Sequence, residues 1–126
     1  MTRTAIASDI LPPAPGPFSA AIRSDGVIYL SGQVGVDPTT DTLVPGGVAA
    51  ETEQVFRNLA VVLEAAGKGF QDVVRAGVFL ADMGDYAAMN SVYAAQFAQP
   101  YPARTCVAVA ALPLGARVEI DLILKA

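Results

Sequence analysis

The sequence predicts an α+β fold with two layers, a mixed sheet and two helices packed on one of its faces. Residues 49–66 and 86–97 carry apolar side chains at helical spacing, whereas residues 73–80 and 118–124 have the composition or alternation of strands. An Asp-Gly pair between two further apolar runs indicates a β-hairpin. A length of 126 residues fits one domain, residues 1–126.

The N-terminal part is predicted to be a loop followed by that hairpin. Residues 11–17 are rich in proline, which fixes φ and lacks a backbone donor, so neither a helix nor a central strand fits there. Residues 18–23 and 27–33 then form two strands. Asp25 and Gly26 lie between them, because an Asp-Gly pair supplies the positive φ that a tight hairpin requires.

After the hairpin the chain is predicted to turn and to form its first helix. Ser31 and Gly32 either simply end the second strand or offer a hydroxyl and a backbone amide to a site, and residues 35–47 form a turn-rich excursion. Residues 49–66 follow, with glutamates near the start, where the helix dipole favours negative charge. Gly67 fits the position just after a helix.

A strand and a second helix come next. Residues 73–80 are apolar and rich in β-branched side chains, which indicates a strand. Asp85 is predicted to cap a helix over residues 86–97, which ends before a proline. Asn90 falls inside the apolar stripe of that helix, so its amide either tethers a loop carbonyl or lines a site.

The C-terminal segment carries charged side chains inside two apolar strands. Arg104 and Cys106 share one face of the first strand, and from Val118 onward apolar residues alternate with a face that carries Glu119. Two helices cover only one face of the sheet. We therefore expect Arg104, Cys106 and Glu119 on the opposite face, which another subunit would have to cover.

Composition excludes several classes of function. The net charge is -4 and the Lys and Arg residues are scattered, which argues against nucleic acid as a partner. One cysteine and no histidine exclude an internal disulfide, a zinc site and a Ser-His-Asp triad. No apolar run has the length of a membrane span or the character of a signal peptide, so we expect a cytoplasmic protein. The 53% apolar share reflects either many alanines or, as we favour, a buried subunit interface.

Three side chains are candidates for chemistry. The planar fork of Arg104 is suited to hold a carboxylate through two charge-assisted hydrogen bonds, and the alternative is a structural salt bridge. Glu119 is either the ion-pair partner of Arg117 or Arg104, or an acid–base group whose pKa burial raises. Cys106 is either a nucleophile or, more commonly for a buried cysteine, a small apolar filler.

Several separated motifs resemble those of the RidA family, formerly called YjgF. They are Pro-Ala-Pro-Gly-Pro-Phe-Ser at 13–19, Tyr-Leu-Ser-Gly-Gln at 29–33, Asn-Ser-Val-Tyr at 90–93, Pro-Ala-Arg-Thr-Cys-Val at 102–107 and Val-Glu-Ile at 118–120. The motifs occur in the family's order in a chain of the family's length. This resemblance implies a chorismate-mutase-like fold and a compact homotrimer with clefts between neighbouring subunits.

The resemblance also implies a hydrolytic deaminase of reactive 2-imino and 2-enamino acids, such as 2-aminoacrylate and 2-iminobutanoate. The products would be 2-keto acids and ammonia, with no metal or organic cofactor. Arg104 would hold the substrate carboxylate and Glu119 would position the attacking water. The other substrate-binding residues that the resemblance implies are Phe18, Ser31, Gly32, Asn90 and Cys106, the last through its backbone.

One position departs from the family's pattern. Phe18 stands where the family's deaminases usually have tyrosine, so an aromatic wall remains and a hydroxyl is lost. Tyr101, close to Arg104 in sequence, is a candidate to replace that hydroxyl. The departure favours a second hypothesis, a non-catalytic trimer that binds or senses a keto acid or another small carboxylate. A third, a ribonuclease or translation inhibitor, conflicts with the acidic charge and the missing histidines.

Overall fold

The computed structural model describes residues 2–126, and in them the chain forms two α-helices and eight strands. Short 3-10 turns precede β6 and α2 and follow β7. In chain order the elements are β1 (Thr4–Ala5), β2 (Ala21–Ser24), β3 (Val27–Val34), β4 (Val36–Asp37), β5 (Thr42–Leu43), α1 (Val48–Ala65), β6 (Val73–Leu80), α2 (Tyr86–Ala94), β7 (Ala103–Ala108) and β8 (Val118–Lys125).

Six of the strands form one mixed sheet in the order β1-β2-β3-β8-β6-β7. All neighbours are antiparallel except β6 and β7, which run parallel. The connection between those two strands contains α2, as a parallel crossover requires. The strands β4 and β5 form a small separate ladder. The predicted α+β class with a mixed sheet is confirmed.

Both helices pack on one face of this sheet, and the core lies between the layers. Leu59 and Leu63 of α1 and Met89 of α2 are almost fully buried, as are Ile120 and Leu122 of β8. Four aromatic side chains pack together in the same core. The centroids of contacting rings are 4.9 to 5.9 Å apart, in tilted and edge-on arrangements. The four are Phe56, Phe70, Tyr93 and Phe97.

Most element boundaries agree with the sequence-based expectation. The strand predicted at 73–80 is confirmed residue for residue, and the first helix begins and ends within one residue of its predicted bounds. The hairpin turn is also confirmed, with the positive φ of 52° at Asp25. The first hairpin strand is shorter than predicted, because residues 18–20 lie in the loop before it. The second helix ends at Ala94 rather than at residue 97.

The prediction that the Asp85 side chain caps the second helix is wrong. Asp85 occupies the N-cap position of α2, but its side chain accepts no hydrogen bond from the helix. Its carboxylate instead receives the Nε and Nη2 donors of Arg117, at 3.1 and 3.3 Å. This ion pair ties the start of α2 to the residue just before β8.

Ser31 and Gly32 do not end a strand. Leu30 pairs with Leu122 and Gln33 with Ile120, so three steps along β3 are matched by two steps along β8. One extra residue therefore bulges from β3 at Ser31 and Gly32, and the strand continues beyond them. Bulges of this kind redirect side chains beside functional sites.

The expectation that Arg104 and Cys106 share a face with Glu119 is wrong. Arg104 and Cys106 pair with Ala76 and Val78 of β6, whose side chains are fully buried under the helices. Glu119 alternates with the buried residues of β8, so its side chain lies on the other face. Below, this second face is called the open face, because no helix of residues 2–126 covers it.

Within residues 2–126 neither α-helix combines the length and the apolar character needed to cross a membrane.

Candidate functional site

Arg104 lies near the start of β7 and points toward α2. Its Nη1 donates to Asn90 Oδ1 at 2.7 Å and its Nη2 donates to Tyr86 Oη at 3.0 Å. The guanidinium carbon also lies 4.7 Å from the centre of the Tyr93 ring and 5.6 Å from that of Tyr86, both within cation–π range. The interpretation of Asn90 as a tether for a loop carbonyl is therefore wrong, because its amide oxygen orients Arg104.

No carboxylate within residues 2–126 forms a salt bridge with Arg104. Arg117, by contrast, pairs with Asp85. The structural salt-bridge interpretation of Arg104 is wrong for this part of the chain. Its positive charge is held in place by neutral groups and is uncompensated, which is the condition for binding an anion.

A cavity of about 410 Å³ opens beside the guanidinium. Its walls are mostly aromatic or apolar, and Arg104 is the charged group among them. Tyr101 is half exposed at this cavity and its hydroxyl has no hydrogen-bond partner among residues 2–126, so no contact there shows it replacing the missing hydroxyl. The lining residues are Asn90, Tyr93, Ala94, Tyr101, Pro102 and Arg104.

Glu119 forms a second group of candidate residues on the open face. Its carboxylate lies directly over Gly32 at the β3 bulge, and a Cβ at that position would overlap Glu119 Oε2. A side chain at residue 32 would therefore force the Glu119 carboxylate to move from this position. The ion-pair interpretation of Glu119 is wrong, because Arg117 pairs with Asp85 and Arg104 with neutral groups.

The surroundings of Glu119 disfavour its ionised form. Partial burial raises the pKa of Glu119, and the neighbouring charge of Asp121 raises it further. Burial also raises the pKa of Asp121, which lies over Gly77 as Glu119 lies over Gly32. A carboxyl group with a raised pKa is better able to exchange protons near neutral pH than an ordinary surface glutamate.

Ser31 and Phe18 lie near the Glu119 group. The Ser31 hydroxyl donates to the Ser19 carbonyl at 2.6 Å, which ties the bulge to the loop that carries Phe18. Phe18 itself is 52% exposed, so its ring is accessible from outside the chain.

Cys106 lies two residues beyond Arg104 on the helix side of β7 and packs against the core. Burial raises the pKa of its thiol, and the charge of Arg104 offsets this only in part. A raised pKa suppresses the thiolate that a nucleophile needs. The apolar-filler interpretation fits the structure better.

The candidate residues thus fall into two half-sites on opposite faces of the sheet. The cation half-site contains Arg104 and Asn90, and the carboxylate half-site contains Glu119, Gly32 and Ser31. Within residues 2–126 no group of three or more His, Cys, Asp or Glu side chains is arranged to hold a metal ion.

Comparison with known proteins places the chain in a family. A family model described as Endoribonuclease L-PSP matches residues 10–125. The crystal structure of RidA from an Antarctic Psychrobacter species has a TM-score of 0.90 and 45% identity, covering 98% of this chain and 99% of that one. The chain belongs to the RidA family. A mouse RidA-family relative named 2-iminobutanoate/2-iminopropanoate deaminase is 48% identical over 121 residues, covering 96% of this chain and 90% of the mouse protein. The human protein of that name is 43% identical, covering 98% and 90%.

RidA-family membership confirms the resemblance read from the sequence motifs. Tyr86 and Tyr93 are the residues that sequence reasoning missed, since on the second helix it singled out Asn90 alone. A signal was present: Tyr86, Asn90 and Tyr93 have the spacing i, i+4 and i+7, which places three polar-tipped side chains on one helix face. Their common partner, Arg104, became evident only from the packing of β7 beside α2.

Proposed function

We propose that this protein is a deaminase that hydrolyses 2-imino and 2-enamino acids to 2-keto acids and ammonia. Relatives named 2-iminobutanoate/2-iminopropanoate deaminase match almost the whole chain at 43 to 48% identity. The observation that carries the proposal is the uncompensated guanidinium of Arg104, oriented by neutral groups at the mouth of a cavity. Every substrate of this class carries a carboxylate next to the reacting carbon.

Arg104 would receive that carboxylate. Two charge-assisted hydrogen bonds from the fork fix both the position and the plane of the ligand. The imine carbon, one bond away, is then presented in a single orientation. Orientation of this kind lowers the barrier of a reaction that already proceeds in water.

Glu119 would accept a proton from the attacking water and then donate it to the leaving nitrogen. A 2-enamino acid first takes a proton from solvent at its β-carbon and becomes the protonated imine. A water hydrogen-bonded to the Glu119 carboxylate attacks the imine carbon and passes one proton to Glu119, which leaves a neutral tetrahedral carbinolamine. Glu119 returns that proton to the amino nitrogen, the carbon–nitrogen bond breaks, and the carbinolamine hydroxyl proton passes to the leaving ammonia as the carbonyl forms, so that the products are the 2-keto acid and ammonium. The raised pKa of Glu119 suits a group that must both accept and donate a proton.

The two half-sites face opposite sides of one sheet, so a single chain does not present both to one substrate. We infer that the protein is a homotrimer in which the cation half-site of one protomer meets the carboxylate half-site of its neighbour. The apolar side chains of the open face support this inference. Tyr29 of β3 and Val107 of β7 are 46% and 42% exposed on that face, and Ile123 of β8 lies beside Tyr29. Apolar surface of this kind favours association.

The composite site has a direct test. Arg104→Ala and Glu119→Gln chains, each inactive alone, are co-expressed with different tags, and mixed trimers are isolated. In these isolated mixed trimers about a third of the sites is restored, because each site needs Arg104 from one variant and Glu119 from the other and one interface in three pairs them in that order. The measurement is release of pyruvate and ammonia from 2-aminoacrylate generated in place by a serine dehydratase. Mixed trimers as inactive as the single variants would show that each site lies within one chain.

The same assay separates the alternative functions. Faster hydrolysis with the wild-type protein than with buffer supports the deaminase. Thermal stabilisation by 2-ketobutyrate without faster hydrolysis would identify a carboxylate-binding protein, the alternative that Phe18 favours. RNA cleavage that survives repurification and disappears in Arg104→Ala would indicate a ribonuclease.

A further inference from the structure

The guanidinium of Arg104 is oriented by three groups of α2, and all three are neutral. Asn90 supplies an amide oxygen, Tyr93 a ring face and Tyr86 a phenolic oxygen. Neutral acceptors restrict the guanidinium without cancelling its charge, so the full charge remains for a ligand. A carboxylate in any of these positions would instead compete with the substrate.

Tyr86 differs from the other two in where it lies. It is the first residue of α2, directly after the 3-10 turn Met83–Asp85, and 38% of its surface is exposed. Gly84 N donates to Asp82 Oδ1 at 2.8 Å within that turn, and Arg117 holds Asp85 from the other side. The backbone that leads into Tyr86 is therefore held in place, although the Tyr86 ring borders solvent.

We propose that Tyr86 is a positioning residue, whose hydroxyl oxygen holds the Nη2 of Arg104 so that the fork is aligned for a substrate carboxylate. Asn90 alone restrains only Nη1, and a planar group held at one nitrogen still swings about that contact. The second anchor, 3.0 Å from Nη2, stops this rotation. The Tyr93 ring below the guanidinium restricts motion out of the plane.

The inference rests on the proposed function of Arg104 as a carboxylate receptor. It also reassigns the hydroxyl beside the guanidinium, which sequence reasoning sought at Tyr101. Phe18 has no hydroxyl, and the Tyr101 hydroxyl forms no hydrogen bond with any of residues 2–126, whereas Tyr86 bonds Arg104 directly. The Tyr86 hydroxyl is therefore placed to act through Arg104.

The test is Tyr86→Phe, which removes the oxygen and keeps the ring. Binding of 2-ketobutyrate and of its neutral amide is measured by titration calorimetry in the wild type and the variant. We expect 2-ketobutyrate to bind roughly five- to tenfold more weakly to Tyr86→Phe, because the ligand must then order a guanidinium that is no longer aligned in advance, and the amide to bind unchanged. The ratio of the two affinities cancels any loss of folded protein. In turnover, KM is expected to rise by a similar factor while kcat changes little.

Two controls sharpen the result. Ser91→Ala removes a hydroxyl from the same helix, where it bonds only to Ala87 O at 3.2 Å, and should leave both affinities unchanged. In the Arg104→Ala background, Tyr86→Phe should have no further effect, because the two residues act as one unit.

The outcomes distinguish the two proposals. Equal 2-ketobutyrate binding by wild type and Tyr86→Phe, or an equal loss in the Arg104→Ala background, overturns the role of Tyr86 and leaves the proposed function standing. If wild-type protein binds 2-ketobutyrate no better than Arg104→Ala does, the carboxylate receptor itself is wrong.

Discussion

At the scale of single residues, two arginines of one chain have opposite environments. Arg117 is neutralised by Asp85 and connects β8 to the start of α2. Arg104 meets only neutral partners and keeps its charge. Arginine therefore serves structure in one place and, as we propose, ligand binding in the other, and the difference lies in the groups that α2 and the residue before it present to the guanidinium.

Glu119→Gln is expected to slow hydrolysis by about 100-fold or more, because general acid–base catalysis typically contributes at least that factor. The same change is expected to raise thermal stability at pH 7. The raised pKa of Glu119 means that its ionised form is less favourable in the folded chain than in the unfolded chain. Glu119→Gln removes the charge, so the folded chain no longer carries the free-energy cost of holding an ionised carboxylate there.

The pH dependence of that stability follows from the same shift. Wild-type stability rises as pH falls through the folded pKa of Glu119, because in that window the folded chain binds more protons than the unfolded chain. The difference in melting temperature between Glu119→Gln and wild type should therefore shrink from pH 7 toward pH 5. A variant less stable than wild type at pH 7 would mean that the carboxylate makes a stabilising contact.

At the scale of elements, close approaches of backbone and side chain hold the half-sites in position. Gly35 follows β3 and is buried against Glu51, the fourth residue of α1. The Glu51 carboxylate in turn accepts from Arg117 N at 2.8 Å, just before β8. The glycine contact thus locates the end of β3 against α1, and the hydrogen bond locates the start of β8, the strand that carries Glu119.

Gly35→Ala is expected to destabilise the protein by roughly 1 to 3 kcal/mol, the usual cost of overpacking. A Cβ at this position would lie 2.8 Å from Glu51 O, a backbone atom that cannot move without shifting α1. Gly26→Ala is the matched control, because no atom lies within 4 Å of its added Cβ. Thermal unfolding of both variants measures the effect. Equal melting temperatures would show that α1 accommodates the methyl group.

At the scale of the whole molecule, the sheet is covered on one face and open on the other. The open face joins apolar residues such as Tyr29 and Ile123 with the two carboxyl groups of raised pKa, Glu119 and Asp121. A monomer would expose this surface to water. We expect assembly to bury it and, in the same step, to complete the site.

Ile123→Asp is expected to give a folded monomer without deaminase activity. Ile123 lies in the middle of the open face, where a charge would have to be buried on assembly. Val61→Asp, on the exposed side of α1, is the control and should stay trimeric. Light scattering after size-exclusion chromatography gives the mass, and circular dichroism confirms folding. An active trimeric Ile123→Asp protein would contradict the proposed interface.

Much of this protein follows from local sequence pattern. Alternation along residues 118–124 predicted which side chains of β8 are buried, and helical spacing predicted both helices, because these periods come from backbone geometry alone. The motifs around Arg104 and Glu119 also indicated the candidate residues. Local pattern determines which residues share a face of their own strand.

Only the tertiary structure decided which face meets the helices. Arg104 lies under α2 because β7 pairs in parallel with β6 in the register that sets it beside the buried Ala76. Register and strand order depend on contacts between distant segments, and no periodicity within one strand encodes them. For the same reason the neutral anchors of Arg104 and the separation of the two half-sites became visible only when β7, α2 and β8 were packed together.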